Sequence, residues 1–154
     1  MKLDEQDIQL LHLLQSDCKQ TTKQYAHALG LSVTAVYERI KRLERSGTIE
    51  GYVALLNRKK VGRGFMVLCH IRLAQHAKES VVEFERAVSK LREVSECYHV
   101  SGDYDYILKI HVPGIEAYRE FMVSKLTTIR HIGNTHSSFV IKEVKYSTKV
   151  DLEV

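Results

Sequence analysis

Residues 21–47 read TTKQYAHALGLSVTAVYERIKRLERSG, a stretch that predicts two short helices on either side of a glycine. Thr21 followed three residues later by Gln24 is the pattern of a capping box, which starts the first helix. Gly30 ends that helix, because glycine tolerates the positive φ found just past a helix C-terminus. Ser32 then caps the second helix. The buried stripe predicted for the second helix is Val36, Ile40 and Leu43. Two short helices joined by a tight glycine turn are the core of a helix-turn-helix.

The residues on either side of this stretch extend it to a small domain. An earlier helix is predicted over residues 4–16, where Asp4 caps the first turn and Asp7 stands three residues later. Residues 49–56, IEGYVALL, are β-prone and follow the second helix closely. We therefore predict a winged-type helix-turn-helix domain over residues 1–57.

The outward face of the second helix is the candidate DNA-binding surface, since the tight turn projects its N-terminal half towards a major groove. The residues on its leading turns are candidates for contacting bases: Val33, Thr34, Tyr37 and Glu38. A threonine or valine can touch a thymine methyl group, and a glutamate can accept a hydrogen bond from a cytosine amino group. The candidate phosphate contacts are Arg39, Lys41, Arg42 and Arg45, and Ser32 at the helix start completes the predicted DNA-binding set. An ordinary amphipathic helix with a solvated charged face is the alternative. The capped partner helix and the glycine turn favour double-stranded DNA as the partner.

A basic, glycine-containing segment separates this domain from the rest of the chain, and we predict a linker at residues 58–63. An exposed surface turn is the other interpretation of the same composition. Beyond it, residues 64–154 change from helical to strand-rich periodicity. The predicted elements are a strand over 65–73, a helix over 78–91, strands over 94–101 and 104–112, a helix over 115–126 and a strand over 135–146. The order βαββαβ predicts a ferredoxin-like domain, and hence an α+β fold for the whole chain.

Composition narrows the function classes. The formal net charge is +4, with ten Lys/Arg against seven Asp/Glu in residues 1–60 and thirteen against twelve in residues 61–154. The excess in the first part suits a polyanion partner, although a soluble surface often carries the same excess. Three widely spaced cysteines indicate free thiols in a reducing compartment. No run of about 18 apolar residues is present, so no membrane partner is expected and the predicted location is the cytoplasm. No cofactor is predicted.

The turn at Gly102 has the chemistry to bind a small zwitterion. A glycine turn exposes backbone N–H groups that can hold a carboxylate, and carboxylate and hydroxyl oxygens can hold an ammonium group. The predicted effector-binding residues are Gly102, Asp103, Tyr104, Asp105, Thr135 and Ser137. A plain hairpin turn with solvated aspartates is the alternative that spacing alone favours.

A metal site and an enzyme are weaker alternatives. By strand alternation, four ligand-type side chains could share one sheet face: His70, Cys97, His99 and His111. None of them has a second ligand at helical or CxxC-like spacing, so a subunit interface that tolerates histidines explains them better. The sequence also lacks a phosphate-binding glycine loop and a pattern of nucleophile, base and orienting group. We therefore predict neither a metal nor catalysis.

Several short motifs occur in a defined order along the chain. In the first half they are Leu3–Ile8, Gly30–Ser32, Val36–Glu44 and Gly47–Tyr52. In the second half they are a Gly-x-x-Asp motif at Gly102–Asp105 and Thr135-His136-Ser137 at a Thr-x-Thr position. This combination resembles the leucine-responsive/asparagine regulators, the Lrp/AsnC family, from about Leu3 to Thr148. Ser137 departs from the pattern, because it keeps the hydroxyl of the second threonine and loses its methyl group.

The resemblance implies a bacterial or archaeal transcription factor that dimerises through its C-terminal domain, with dimers assembling into a higher oligomer such as an octamer. It also implies an amino-acid effector bound between subunits near the glycine loop. We therefore predict a sequence-specific DNA-binding transcriptional regulator whose DNA binding or assembly responds to a small amino-acid-type effector. The alternative is an effector-independent architectural DNA-binding protein, which would use the same helix and the same oligomer.

Overall fold

Three helices open the fold of the computed structural model, which describes residues 2–153. They are α1 (Glu5–Ser16), α2 (Thr22–Leu29) and α3 (Val33–Arg45). Asp4 and Thr21 cap the first two helices through complete capping boxes. In each box the side chain of the cap and that of the residue three positions later accept from each other's backbone N–H groups. Gly30 adopts the left-handed conformation, with φ 65°, at the end of α2. The predicted helix-turn-helix is confirmed.

The helices enclose a small apolar core. Its fully buried members include Leu10 of α1 together with Val36 and Leu43 of α3. Tyr25 of α2 is also buried, and its hydroxyl donates to the carbonyl of Asp17 over 2.6 Å. That hydrogen bond satisfies the one polar atom that the ring carries into the core.

The β-prone segment 49–56 forms no strand, and none is assigned between α3 and Phe65. Val53 is 79% exposed and Leu55 is 62% exposed. A strand requires a neighbour that pairs with its backbone N–H and C=O groups, and this single chain supplies no such neighbour for the segment. The strand of the predicted wing is therefore absent from the described chain.

The second compact unit of the fold is Leu56–Val144, and the segment predicted as a linker, 58–63, belongs to it. The segment folds into consecutive turns, with the N–H of Val61 donating to the carbonyl of Asn57 over 3.2 Å. Arg58 pairs with Glu143 of the same unit over 2.5 Å. These bonds make the segment an ordered edge of the second unit.

The second unit is a four-stranded antiparallel sheet with two helices. Its elements are β1 (Phe65–Leu73), α4 (Lys78–Val88), β2 (Val94–His99), β3 (Tyr106–Val112), α5 (Ile115–Ser124), a 3₁₀ turn (Leu126–Thr128) and β4 (Ile132–Phe139). The strand order is β2-β3-β1-β4, so the two strands nearest the middle are β3 and β1. This is the ferredoxin-like βαββαβ plan, and that prediction is confirmed.

The two helices of this unit pack on one face of the sheet and leave the other face uncovered. On one face, four side chains of β1 are fully or almost fully buried: Val67, Cys69, Ile71 and Leu73. They share one core with Phe84 of α4 and Phe121 of α5. The intervening side chains of β1, including Met66, Leu68 and His70, point to the opposite face and are half-buried. No helix of the second unit covers that opposite face, which we call the open face.

The C-terminal residues depart from the predicted boundary of 64–154. Strand β4 ends at Phe139 instead of reaching residue 146, and the residues from Lys145 onward cluster with the helical unit that runs up to Leu55. Leu152 packs on the core of α1 to α3, and Gln15 exchanges two hydrogen bonds with the backbone of Val150, at 2.6 and 3.0 Å. The apolar surface left by three short helices explains why these residues pack there.

Across residues 2–153, every helix is too short or too polar to span a lipid bilayer.

Candidate functional site

The start of α3 is held at a fixed angle by its cap. Ser32 has an extended backbone, and its hydroxyl accepts from the N–H of Ala35 over 3.1 Å. This bond satisfies one of the N–H groups that a helix start leaves without a partner. Because Val36 and Leu43 are fully buried, the opposite side of the helix is fixed as the outward side.

The predicted base-contacting residues all lie on that outward side. Thr34 and Glu38 are exposed, as is Ser32 at the helix start. Val33 and Tyr37 are each 49% exposed, although both are apolar. Two half-exposed apolar side chains beside a hydroxyl and a carboxylate form a mixed surface that suits the methyl groups and hydrogen-bonding edges of bases.

Lys41 and Arg45 are the two cations on the second half of the outward side that form no ion pair with α1 among the described residues. The Lys41 ammonium lies 2.8 Å from the Glu44 carboxylate and 5.8 Å from the centre of the Tyr37 ring. The Glu44 carboxylate raises the pKa of Lys41, so the ammonium is charged at neutral pH. Arg45 is exposed and takes part in none of the ion pairs found in residues 2–153.

Glu44 also joins α3 to the segment that follows it. Its second carboxylate oxygen accepts from the Tyr52 hydroxyl over 3.2 Å. Burial and this neighbouring carboxylate raise the pKa of Tyr52 to about 12, so the hydroxyl remains a donor throughout the physiological range.

Arg39 and Arg42, which the sequence predicts as phosphate contacts, are paired with acids of α1. The Asp7 carboxylate is only 1% exposed and receives Arg39 Nη1 over 2.7 Å and Arg42 Nη2 over 2.5 Å. Arg39 also pairs with Asp4 over 2.7 Å, and that guanidinium lowers the pKa of Asp4. Any phosphate contact by these arginines must coexist with the acid pairs. The sequence pattern predicts Asp4 as the cap of α1 and Asp7 as its capping-box partner, and it gives no sign that either pairs with an arginine of α3.

The second predicted site, Gly102–Asp105, is a turn in which the Asp105 carboxylate is already engaged. Gly102 has φ 131°, a conformation that favours glycine. Asp105 Oδ2 accepts from the backbone N–H of Leu73 over 2.7 Å, and Oδ1 lies 2.9 Å from His76 Nε2. The Leu73 N–H, and then His76, lower the pKa of Asp105. Arg72 donates to the backbone carbonyl of Asp103 in the same turn, which leaves the Asp103 carboxylate at the exposed edge.

The structure does not bring Thr135 and Ser137 to this turn as predicted. In the β1–β4 register, Thr135 lies opposite Ile71 and Ser137 opposite Cys69, so both side chains point to the helix-covered face. The Ser137 hydroxyl is 2.5 Å from the Tyr118 hydroxyl of α5. These two β4 residues therefore serve the interior of the unit.

Tyr104 of the turn lies on the other side of the sheet. Its ring centre is 5.1 Å from that of His70 and 6.1 Å from that of His136. His70 and His136 are opposite one another in the β1–β4 register, and both face the open side. Tyr104 and the backbone of the turn thus border the open face.

The four candidate metal ligands do not share a face. Cys97 and His99 of β2 lie opposite Leu108 and Tyr106, whose side chains point to the helix-covered face, whereas His70 and His111 face the open side. The register of β2 shifts by one residue between Val94 and Glu96. A shift of one residue moves every later side chain to the other face, which is why simple alternation predicted the wrong grouping. Among residues 2–153, no three His, Cys, Asp or Glu side chains are arranged to hold a metal ion.

Comparisons with known proteins match both halves of the chain. Residues 3–44 match the AsnC-type helix-turn-helix domain, and residues 66–150 match the Lrp/AsnC ligand binding domain. The leucine-responsive regulatory protein of Escherichia coli K12 is 38% identical over 148 residues, which cover 96% of this chain and 90% of that protein.

Solved structures agree over almost the whole chain. An AsnC family transcriptional regulator from Agrobacterium tumefaciens superposes with a TM-score of 0.93 at 36% identity, covering 97% of each chain. The transcriptional regulator NMB0573 from Neisseria meningitidis, solved as a complex with L-Met, also gives a TM-score of 0.93, at 29% identity and with 97% of each chain covered.

Proposed function

This chain belongs to the Lrp/AsnC family of transcriptional regulators, and from that premise we propose that α3 reads DNA from a symmetric dimer whose binding or assembly responds to an amino acid. The observation that carries the proposal is the free outward side of α3, with its capped start and exposed leading turns. Its place of action is the compartment that holds the chromosome, the cytoplasm.

Base reading is assigned to the leading turns of α3. Val33 and Thr34 have methyl groups for thymine, Tyr37 offers a ring and a hydroxyl, and Glu38 accepts from cytosine amino groups. Ser32 fixes the helix start that faces the groove. Changing Thr34 or Glu38 to Ala should alter which sequence is preferred in a binding selection, with each lost base contact reducing discrimination by about 1–3 kcal/mol.

Phosphate binding is assigned first to Arg45, and to Lys41, whose pair with Glu44 lies at the surface; Arg39 and Arg42 are instead paired with the buried carboxylate of Asp7. Arg45→Ala should weaken binding to operator and random duplex alike. It should also reduce the slope of log affinity against log salt by about 0.9. Thr34→Ala is the matched control and should leave that slope unchanged. If both variants changed the salt slope equally, or both changed the sequence preference, the assignment of separate roles would be wrong.

The open face supports a homodimer, with octamers as a further assembly. Met66, Leu68 and Ile107 lie on that face and are only partly covered within one chain. Burying such a half-apolar sheet face against a second copy is favourable. The two α3 helices of a dimer then require a pseudo-palindromic operator, with half-sites about one turn or a multiple of a turn apart. Sedimentation of Leu68→Asp should show loss of the dimer, and a selection that returned only unrepeated asymmetric sites would contradict the symmetric arrangement.

An amino acid is proposed at the Gly102 turn, between subunits. The support is the match to the ligand binding domain, the L-Met complex of the Neisseria relative and the exposed backbone of the turn. The N–H groups at Gly102 are assigned to the ligand carboxylate, the Asp103 side chain to its ammonium group, and Tyr104 to its side chain.

The effector is tested by a thermal-shift screen of the twenty amino acids. A ligand at 100 times its dissociation constant should stabilise the protein by about 2.7 kcal/mol. Asp103→Asn should abolish the ligand-induced shift, whereas Ser137→Ala should keep it, since Ser137 faces the interior. If no amino acid shifts the melting temperature at millimolar concentration, the effector-independent architectural function is the correct one.

A further inference from the structure

The two arginines that join α3 to α1 differ in their partners and in their exposure to solvent. Arg39 uses Nη1 for both Asp4 and Asp7, and its side chain is 23% exposed. Arg42 uses Nη2 for both oxygens of Asp7, at 2.5 and 2.6 Å, and its side chain is 44% exposed. Arg39 is thus enclosed between two acids, while Arg42 is held at one end and has a solvent-facing remainder.

This arrangement bears on how Arg42 can meet a phosphate. An arginine has five N–H donors in a rigid fork, so a carboxylate that occupies Nη2 leaves other donors for a second anion. A free arginine loses much of its rotamer freedom when it binds. An arginine that is already fixed by a buried carboxylate loses less and binds more tightly. Arg42 also follows Glu38 by four residues, so it continues the outward row of α3 by one turn.

We infer that Asp7 is a positioning residue for DNA binding, which holds the Arg42 guanidinium so that its free donors meet a backbone phosphate. The inference rests on the proposed function, in which α3 enters the major groove. Arg42 then makes the phosphate contact predicted from the sequence, with its guanidinium held in place by a carboxylate of α1. Arg39, enclosed by Asp4 and Asp7, remains a link between the two helices.

The direction in which Asp7→Asn changes the affinity for DNA distinguishes positioning from a simple charge effect. Asp7→Asn removes a negative charge close to DNA, and charge alone would make a polyanion bind more tightly. Loss of positioning would instead weaken binding, by about fivefold to tenfold if most of the Arg42 rotamer freedom returns. Asn keeps the shape of Asp and an oxygen that accepts from the Asp4 N–H, so the capping box survives.

The experiment measures affinity of the full chain for an operator duplex and a random duplex by fluorescence anisotropy. Asp7→Asn should weaken both about equally. Asp4→Asn is the matched control, because it removes the same charge from a residue that pairs with Arg39 and not with Arg42. Asn caps a helix as well as Asp, so affinity should stay the same or rise slightly. In an Arg42→Lys background, Asp7→Asn should cause no further weakening, since the single ammonium group of lysine has no second donor branch for Asp7 to orient.

The affinities of these variants decide whether Asp7 positions Arg42. Tighter or unchanged binding by Asp7→Asn would overturn it, and so would a weakening that persists in the Arg42→Lys background. If circular dichroism shows that Asp7→Asn is unfolded at the assay temperature, Asp7→Glu replaces it, because Glu keeps the charge and the capping box but displaces the carboxylate. Weaker binding that disappears in the Arg42→Lys background supports the inference, and unchanged affinity refutes it. Failure of the unmodified chain to bind any duplex would instead reject the proposed function.

Discussion

Replacing Asp105 by Ala tests whether this carboxylate stabilises the fold. Its Oδ2 accepts from the N–H of Leu73, the last residue of β1, over 2.7 Å, and Leu73 is almost fully buried. The substitution leaves that N–H without a partner in a place that water reaches poorly. His76, the second partner of Asp105, is largely exposed and contributes little.

The expected loss is about 2 kcal/mol, the middle of the range for a hydrogen bond to a charged group. With a urea m-value of roughly 2 kcal/mol/M, the unfolding midpoint of the second unit should fall by about 1 M. Asp105→Asn should lose about half as much, because an amide oxygen can still accept from Leu73 but without charge. Asp103→Ala in the same turn is the control, and it should remain within about 0.5 kcal/mol of the unmodified chain, as exposed surface changes usually do.

The effect must also depend on pH in one direction. The folded state lowers the pKa of Asp105 below its ordinary value of 3.8. Its ionised form therefore stabilises the fold above that value, and the contribution disappears as the pH falls through the folded pKa. Urea titrations at pH 7 and pH 5 should show the full gap between the unmodified chain and Asp105→Ala, and titrations below pH 3 should show a smaller one. A gap under about 0.5 kcal/mol at pH 7, or one that is constant down to pH 2.5, would refute this reasoning.

Three further substitutions follow from contacts described above. Ser32→Ala removes the bond to the Ala35 N–H, and it should lower the melting temperature of the helical unit by an amount equivalent to about 1 kcal/mol; Ser32→Asn should retain most of the stability. Tyr118→Phe breaks the hydroxyl pair with Ser137 and should lower the free energy of unfolding in urea by about 1 kcal/mol. Adding Ser137→Ala to that variant should lower it little further, whereas fully additive losses would mean that the two residues are not coupled. Leu152→Ala should destabilise the helical unit by about 1–2 kcal/mol, since the side chain is only partly buried, and hydrogen exchange in α1 is where the loss should appear.

The helices and strands are predictable from the sequence where the residues that determine them lie within a few positions of one another. The caps Asp4 and Thr21 are predictable because each has its capping-box partner three residues later, and Ser32 is predictable because serine is a favoured N-cap residue. Strand β1 was predicted over its full length because alternation continues without interruption from Phe65 to Leu73. Contacts within a helix turn or along one strand are thus readable from sequence.

The surroundings of the candidate sites depend on residues far apart in the chain, and local sequence patterns do not show these long-range contacts. The pairing of Asp7 with Arg42 joins residues 35 positions apart, and no periodicity reports it. The extra residue in β2 reverses the faces of Cys97 and His99, although composition around it is ordinary. Ser137 was matched by motif to an effector, but its strand register directs the hydroxyl to Tyr118.

The return of the C-terminal residues to α1 has a consequence for how the protein is made. His12 and Gln15 bond to the backbone of Leu152 and Val150, residues 140 and 135 positions later. At a synthesis rate of 5–20 residues per second, α1 is synthesised roughly 7 to 28 seconds before these partners. Throughout that interval the apolar side chains of α1 that Leu152 later covers stay accessible to chaperones and proteases. The helices of this unit are translated long before Val150 and Leu152, so the unit is completed only after those two residues have been translated.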